Sequence, residues 1–233
     1  MPNRRLLLGG AGVVVVAAGF AAWRWLAAPT APMPAAPTPT PAPAPAQPPA
    51  APPRPILGGG VVERSLGRAD APVTAIEYFS LTCSHCGAFH REIWPRVRRE
   101  LVETGRVRMV FRDFPLDEIA LRAHAVARSF PPDRYVRCIS ALFATQDRWA
   151  YARGVDHKAE IAKIAAMAGM SADAFNAAWA DDALARAILE ARQKGEAEHQ
   201  VNATPTFIIG TQKLPGAIPF ERFEAAVREA TPR

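Results

Sequence analysis

One stretch of this chain constrains its fold more than any other. The run Val73-Thr74-Ala75-Ile76-Glu77-Tyr78-Phe79 is β-branched and aromatic, and Cys83-Ser84-His85-Cys86 follows it closely. Such a run predicts a central strand. The residues after it predict a helix reaching about Thr104, with Pro95 bending or interrupting it and Gly105 ending it. A strand that feeds a helix whose first turn carries Cys-x-x-Cys separates a redox pair from a chance spacing. Disulfide exchange needs one thiolate to attack a sulfur in line and a second thiol to resolve the mixed disulfide. Free N–H groups and the dipole at a helix start favour negative charge on the first sulfur, making Cys83 the nucleophile and Cys86 the resolving thiol. The alternatives are half a zinc site or a plain structural disulfide. Zinc calls for a second Cys/His pair at ligand spacing, and His90, His124, His157, His199 and Cys138 do not form one. Two-thiol chemistry of this kind needs no metal and no cofactor.

Downstream, Val107 to Phe111 alternates with charges as a second strand. Residues 117–200 are Ala-rich and helical, with breaks at Pro131-Pro132, near Gly154 and at Gly169, and Ser171 reads as an N-cap. Thr206 to Ile209 predicts a strand, Gly210-Thr211-Gln212 a turn and Lys213-Leu214 a short strand. Pro219 opens a last helix with Phe220, Phe223 and Val227 on one stripe. Cys138, among Tyr135, Ile139, Leu142 and Phe143 at core spacing, reads as a buried inert thiol; a regulatory or intermolecular disulfide is the alternative.

The N-terminal quarter has a different character. Residues 1–28 read as a membrane anchor or a signal segment. Arg4 and Arg5 precede an apolar run from Leu6 to Ala22, bordered by Trp23-Arg24-Trp25. Basic residues before an apolar run stay on the cytoplasmic side, so the rest of the chain is translocated. The run is long for a signal-peptide core and near the minimum span of a bilayer, which favours an anchor formed by residues 6–25 over a cleaved signal. Residues 29–60 are a Pro/Ala-rich linker; Pro29 to Pro55 holds 13 prolines in 27 residues and predicts an extended polyproline II spacer. The formal charge of +6 is uneven: Arg4, Arg5, Arg24 and Arg54 lie among residues 1–55 with no acid, and the remaining Lys and Arg nearly balance 22 acids. The folded part lacks the basic stripe of a nucleic-acid binder, so no nucleic acid is expected as a partner.

Phe79-Ser80-Leu81-Thr82-Cys83-Ser84-His85-Cys86, with Glu77 upstream and Ala203-Thr204-Pro205-Thr206-Phe207 far downstream, resembles the DsbA-like branch of the thioredoxin superfamily. The resemblance covers residues 61–230. It implies an α/β protein, a thioredoxin fold with an inserted helical domain at about 117–200, within a domain of residues 61–233. It also implies a periplasmic oxidase that donates its disulfide to cysteine-containing exported proteins and is recycled by a membrane redox partner. Ser84 departs from the pattern, which has proline there in its best-known members. His85, between the cysteines, can donate to the Cys83 thiolate or carry charge beside it, stabilising the reduced form. Glu77 is a carboxylate in an otherwise apolar strand. The resemblance implies that it moves protons under the disulfide; an outward-facing Glu at a strand end is the alternative. Thr204 and Pro205 are implied to form the loop opposite the cysteines, with Pro205 in cis and the backbone before it free to pair with a bound peptide.

Two other functions share these residues. A disulfide isomerase or reductase uses the same chemistry in another direction. A copper(I) metallochaperone would hold the metal through Cys83 and Cys86, with His85 or His90. The location expected is the periplasmic side of a bacterial inner membrane, anchored there or, after cleavage, soluble.

Overall fold

The computed structural model describes residues 58–232. The expected anchor or signal segment and residues 29–57 of the linker lie outside the described residues. Five strands form one sheet among the described residues: β1 (Arg64–Leu66), β2 (Val73–Phe79), β3 (Val107–Asp113), β4 (Thr206–Ile209) and β5 (Gln212–Pro215), in the order β1-β3-β2-β4-β5. β2 is central. It runs parallel to β3, from Val73↔Val107 to Phe79↔Asp113, and antiparallel to β4, from Ala75↔Ile209 to Tyr78↔Thr206. A parallel pair needs a crossover, and the helical run behind the cysteines supplies it. Because side chains alternate along a strand, Glu77 and Phe79 of β2 share one face with Phe111 and Asp113 of β3.

That run is α1 (Ser84–Ala88), a π-helical segment (Phe89–Ile93), α2 (Trp94–Val97) and a second π-helical segment (Arg98–Val102). Pro95 was expected to bend or interrupt it. Instead the register widens just before the proline: the N–H of Trp94 donates to the carbonyl of Phe89, five residues back. Pro95 has no N–H to give to the preceding turn, and a π-type turn accommodates that loss without a break.

Between β3 and β4 lie α3 (Glu118–Arg128), α4 (Pro132–Ala144), α5 (Gln146–Trp149), α6 (His157–Met167), α7 (Ala172–Trp179) and α8 (Asp182–His199). Asp117, Asp156, Ser171 and Asp181 each cap a helix, their side chains accepting from the N–H groups of Ala120, Ala159, Ala174 and Leu184. Each such cap stabilises its helix by about 1 kcal/mol. Helices α4 to α7 do not build a core of their own, whereas α3 and α8 form a small separate cluster through Leu121, Ala125, Ala185 and Ile188. Phe143, Trp149, Ile161 and Phe175 join the same buried cluster as Phe79, Phe89, Phe111 and Phe207 of the sheet and α1 side. α8 packs close against the opposite face, where a Cβ at Gly195 would overlap the Tyr78 ring. α9 (Phe220–Ala230) closes the first face through Phe220, Phe223 and Val227. Cys138 on α4 is a buried free thiol, pushed up to about 12 by burial.

Candidate active site

The strand β2 delivers Ser80 to Cys83 to the start of α1. The Cys83 N–H donates to the Ser80 carbonyl at 3.1 Å, closing a tight turn, and the Gly87 N–H donates to the Cys83 carbonyl at 3.0 Å. Cys83 is the N-cap, with extended backbone (φ −79°, ψ 122°), so its sulfur faces the free amides of the first turn. The two thiols, both free, are unequal. Cys83 is lowered to about 5. The main cause is a hydrogen bond from Cys86; burial opposes it, while Thr204 and the backbone N–H groups of Cys86 and His85 add to the fall. Cys86 is fully buried and moves the other way, well above the ordinary thiol value. Burial is the main cause, with the hydrogen bond it gives to Cys83 and the charges of Cys83 and Glu77 adding to it.

The loop before β4 faces the first sulfur. The Thr204–Pro205 peptide bond is cis. The protonated Cys83 thiol donates to the Thr204 carbonyl at 3.2 Å, whereas the Pro205 carbonyl accepts from the Gly216 N–H at 2.7 Å. Thr204 thus keeps its backbone turned toward the cysteine while Pro205 is tied to the end of β5.

Beneath the pair, Glu77 is wholly buried, which excludes the outward-facing alternative. Its carboxylate oxygens lie 3.0 and 3.1 Å from Nε2 of His90. Sequence reasoning singled out Glu77 but not this partner. The signal was present: His90 is four residues after Cys86, on the same helix face, turned toward the strand that carries Glu77. His85 is placed differently. Its imidazole is exposed and hydrogen-bonds to no described residue; the part of His85 that bears on Cys83 is its backbone N–H.

Several residues that hold the redox loop carry no sequence signal of their own. Gln146, buried at the start of α5, donates through Nε2 to the carbonyls of Leu81 at 2.7 Å and Cys83 at 2.9 Å. Gly87 makes room for it, since a Cβ there would overlap the Gln146 Oε1. The Tyr151 hydroxyl donates to the Thr82 carbonyl at 2.8 Å, and the Thr82 hydroxyl donates to Asp117 at 2.6 Å. Among the described residues no group of three or more His, Cys, Asp or Glu side chains is arranged to hold a metal ion.

A family model described as thioredoxin matches residues 61–229. The chain belongs to the thioredoxin family. Within it the chain is DsbA-like. The solved structure of alpha-DsbA1 from Wolbachia pipientis is similar at 28% identity with a TM-score of 0.68, covering 72% of this chain and 90% of that one. BdbD from Bacillus subtilis, in its oxidised form, is 16% identical with a TM-score of 0.64, covering 76% of this chain and 98% of that chain, and shows the shared fold. A Rickettsia conorii protein provisionally named a protein-disulfide oxidoreductase is 24% identical over 145 residues, 62% of this chain and 52% of its own length. The chain spans about half the length of the curated relatives it matches first. Helices α3 to α8 are the helical insertion of this DsbA-like thioredoxin fold, and Gln146 and Tyr151 reach from it to the redox loop.

Proposed function

We propose that this protein is a thiol–disulfide oxidoreductase that oxidises paired cysteines of exported proteins. The observation that carries the reading is the opposed titration of the two thiols: Cys83 lowered to about 5, Cys86 raised well above its ordinary value. A first thiol that is stable as a thiolate favours the reduced form of the enzyme, so its disulfide is an oxidant, and it is also a good leaving group.

In the oxidised enzyme a client thiolate attacks Cys83, the Cys83–Cys86 bond breaks, and Cys86 leaves with the electron pair and takes up a proton. A second client thiolate then attacks the client sulfur of the mixed disulfide. The client disulfide forms and Cys83 departs as the thiolate. Two electrons pass from client to enzyme. Cys86, set in an apolar site, needs a proton donor and acceptor beside it, and Glu77 is the group in place for that role. The Thr204 backbone, before Pro205, serves as the edge on which an extended client segment pairs.

The N-terminal pattern supports a location on the periplasmic side of an inner membrane, with residues 6–25 as the anchor and a membrane redox partner restoring the disulfide. Among the described residues no helix is long and apolar enough to cross a membrane. An anchored full chain fractionates with membranes, resists high-salt extraction and keeps Arg4 and Arg5. A soluble form beginning after Ala21 or Ala28 defeats the anchor and leaves the redox reading intact.

The activity is tested with oxidised protein and a reduced peptide carrying two cysteines. Disulfide transfer is expected, and Cys83→Ser abolishes it. In the reduced protein Cys83 alkylates rapidly at pH 7 and Cys86 resists. Equal labelling of the two thiols would reject the assignment.

A further inference from the structure

Taking the proton from Cys86 requires a carboxylate that is ionised inside an apolar site, and a bare carboxylate there favours its neutral form. Among the described residues Glu77 has one side-chain hydrogen-bond partner, His90, whose side chain is as fully buried as its own. The imidazole is walled by rings: Phe143 stacks on it at 4.3 Å, and Phe79, Phe89, Trp94 and Phe111 stand within 6.4 Å. Its other nitrogen, Nδ1, is buried and meets no hydrogen-bond partner among the described residues.

Those two nitrogens impose one protonation state. Nε2 carries the hydrogen and donates to Glu77. A second hydrogen on Nδ1 would point into the ring box with no acceptor, so the imidazole stays neutral. The charged groups around it leave this arrangement alone. Glu77 faces it from β2, and Cys86 lies one turn earlier on α1. Arg91 turns its guanidinium to the Phe143 carbonyl of α4 at 3.0 Å. The cleft that Arg98, Arg99 and Glu103 line with the uncharged Ser140 of α4 also borders His90 and Trp94, but the His90 side chain is wholly buried, and Arg98 is paired with Glu103 and Arg99 with Glu100. The Asp113–His124 pair lies beyond Phe79.

The geometry points to His90 as the positioning residue that makes Glu77 the proton acceptor of Cys86. By donating from Nε2 it holds the carboxylate ionised and oriented. By having nothing to bond at Nδ1 it declines the proton itself, which therefore stops at Glu77. The inference rests on the redox reading above.

The step that reads it is resolution of a mixed disulfide between Cys83 and thionitrobenzoate. Cys86 gives its proton to Glu77, its sulfur attacks Cys83, the Cys83–Cys86 bond forms, and thionitrobenzoate leaves with the electron pair and is followed by its colour. In full-length protein, His90→Leu is expected to slow release at pH 7 by about tenfold or more and to move the pH profile upward. His90→Gln, which keeps an N–H donor, restores most of the rate, and alkylation of Cys83 is unchanged in both. A wild-type rate in His90→Leu, or no rescue by His90→Gln, overturns the inference while Cys83 still reacts. Failure of wild-type Cys83 to form the mixed disulfide overturns the redox reading itself. Should His90→Leu not fold, nitrogen-15 spectra of the wild-type imidazole decide. A neutral ring with hydrogen on Nε2 in both redox states upholds the assignment, and an imidazolium in either state rejects it.

Discussion

On each side of Phe79 lies a buried carboxylate paired with a histidine, and the two pairs are built to different ends. Asp113, on β3, accepts from His124 Nδ1 at 2.8 Å, from Arg128 and from the Tyr135 hydroxyl at 3.3 Å. Glu77, on the neighbouring strand, has His90 as its side-chain partner. Burial pushes the Asp113 carboxyl up, but the charge of Arg128 and the hydrogen bonds from His124 and Arg128 outweigh it and hold the group well below the usual carboxylate range. A carboxylate so surrounded is a fastening. Arg128 passes the link on to the Val62 carbonyl, and the Arg128 carbonyl accepts from Arg64 of β1, so the cluster pins the start of the domain to α3. A carboxylate with a single neutral donor can still take a proton. On the proposal above, one sheet face carries a fastening pair and a proton-transferring pair, and the number of donors tells them apart.

The contrast is open to attack from its stronger side first. Arg128→Ala leaves Asp113 buried with a missing cation and is expected to cost about 3–5 kcal/mol, read from the urea midpoint at pH 7, with Cys83 alkylation unaltered. A loss of thiol reactivity on that substitution would show that the two pairs are not separate.

Acid stability is the next test. The folded-state value of Asp113 is depressed, so its contribution is fully present above the unfolded value of about 3.9 and is lost as pH falls through the folded one; losses of this kind run to about 2–3 kcal/mol. The wild-type protein therefore loses stability steeply below about pH 4. Asp113→Asn flattens that limb, and an equally steep limb in the variant would assign it elsewhere.

Glu77→Gln removes a charge but keeps the volume and a polar group beside His90. A loss of about 1–3 kcal/mol is expected, smaller than for Arg128→Ala, together with slow resolution of the Cys83 mixed disulfide. Stability loss with an unchanged rate would make Glu77 a second fastening.

The smallest effect belongs to His85. Its side chain is exposed and bonds to no described residue, and its N–H survives substitution. His85→Ala is expected to move the Cys83 titration, followed by thiolate absorbance, by less than about one unit. A larger rise would restore to the imidazole the tuning role that residue order alone suggests.

What could be read from residue order follows from how local the cause is. β2 begins and ends where its β-branched and aromatic composition says, the cysteines fall at a helix start, and Gly105 takes the positive φ of 78° that ends the run. β3 extends two residues past Phe111, because Asp113 is polar in sequence and buried in fact, satisfied by partners 11, 15 and 22 residues away. β1 is three residues long and exists through its pairing with β3, so its own composition announces nothing. Glu77 was legible as an anomaly in an apolar strand. Its partner was half legible, through helix periodicity. Gln146 was not legible at all, since its task is to meet carbonyls 63 and 65 residues earlier.

That glutamine bears on how the protein can be taken apart. Its amide reaches from the helical block into the turn that presents Cys83 and holds two carbonyls there, in space left by a glycine on the opposing helix. The block and the catalytic turn are therefore not interchangeable modules. Moving residues 80–87 onto a minimal thioredoxin scaffold would transplant the sulfurs without the Gln146 amide, leaving the Leu81 carbonyl without that donor and the Cys83 carbonyl with the Gly87 N–H alone of its two, and deleting the block to trim the protein would do the same. An engineer who wants this redox turn in another frame must carry Gln146 and Gly87 along with the cysteines, and a lineage that exchanged one half without the other would lose the shape of the turn before it lost any residue that reacts.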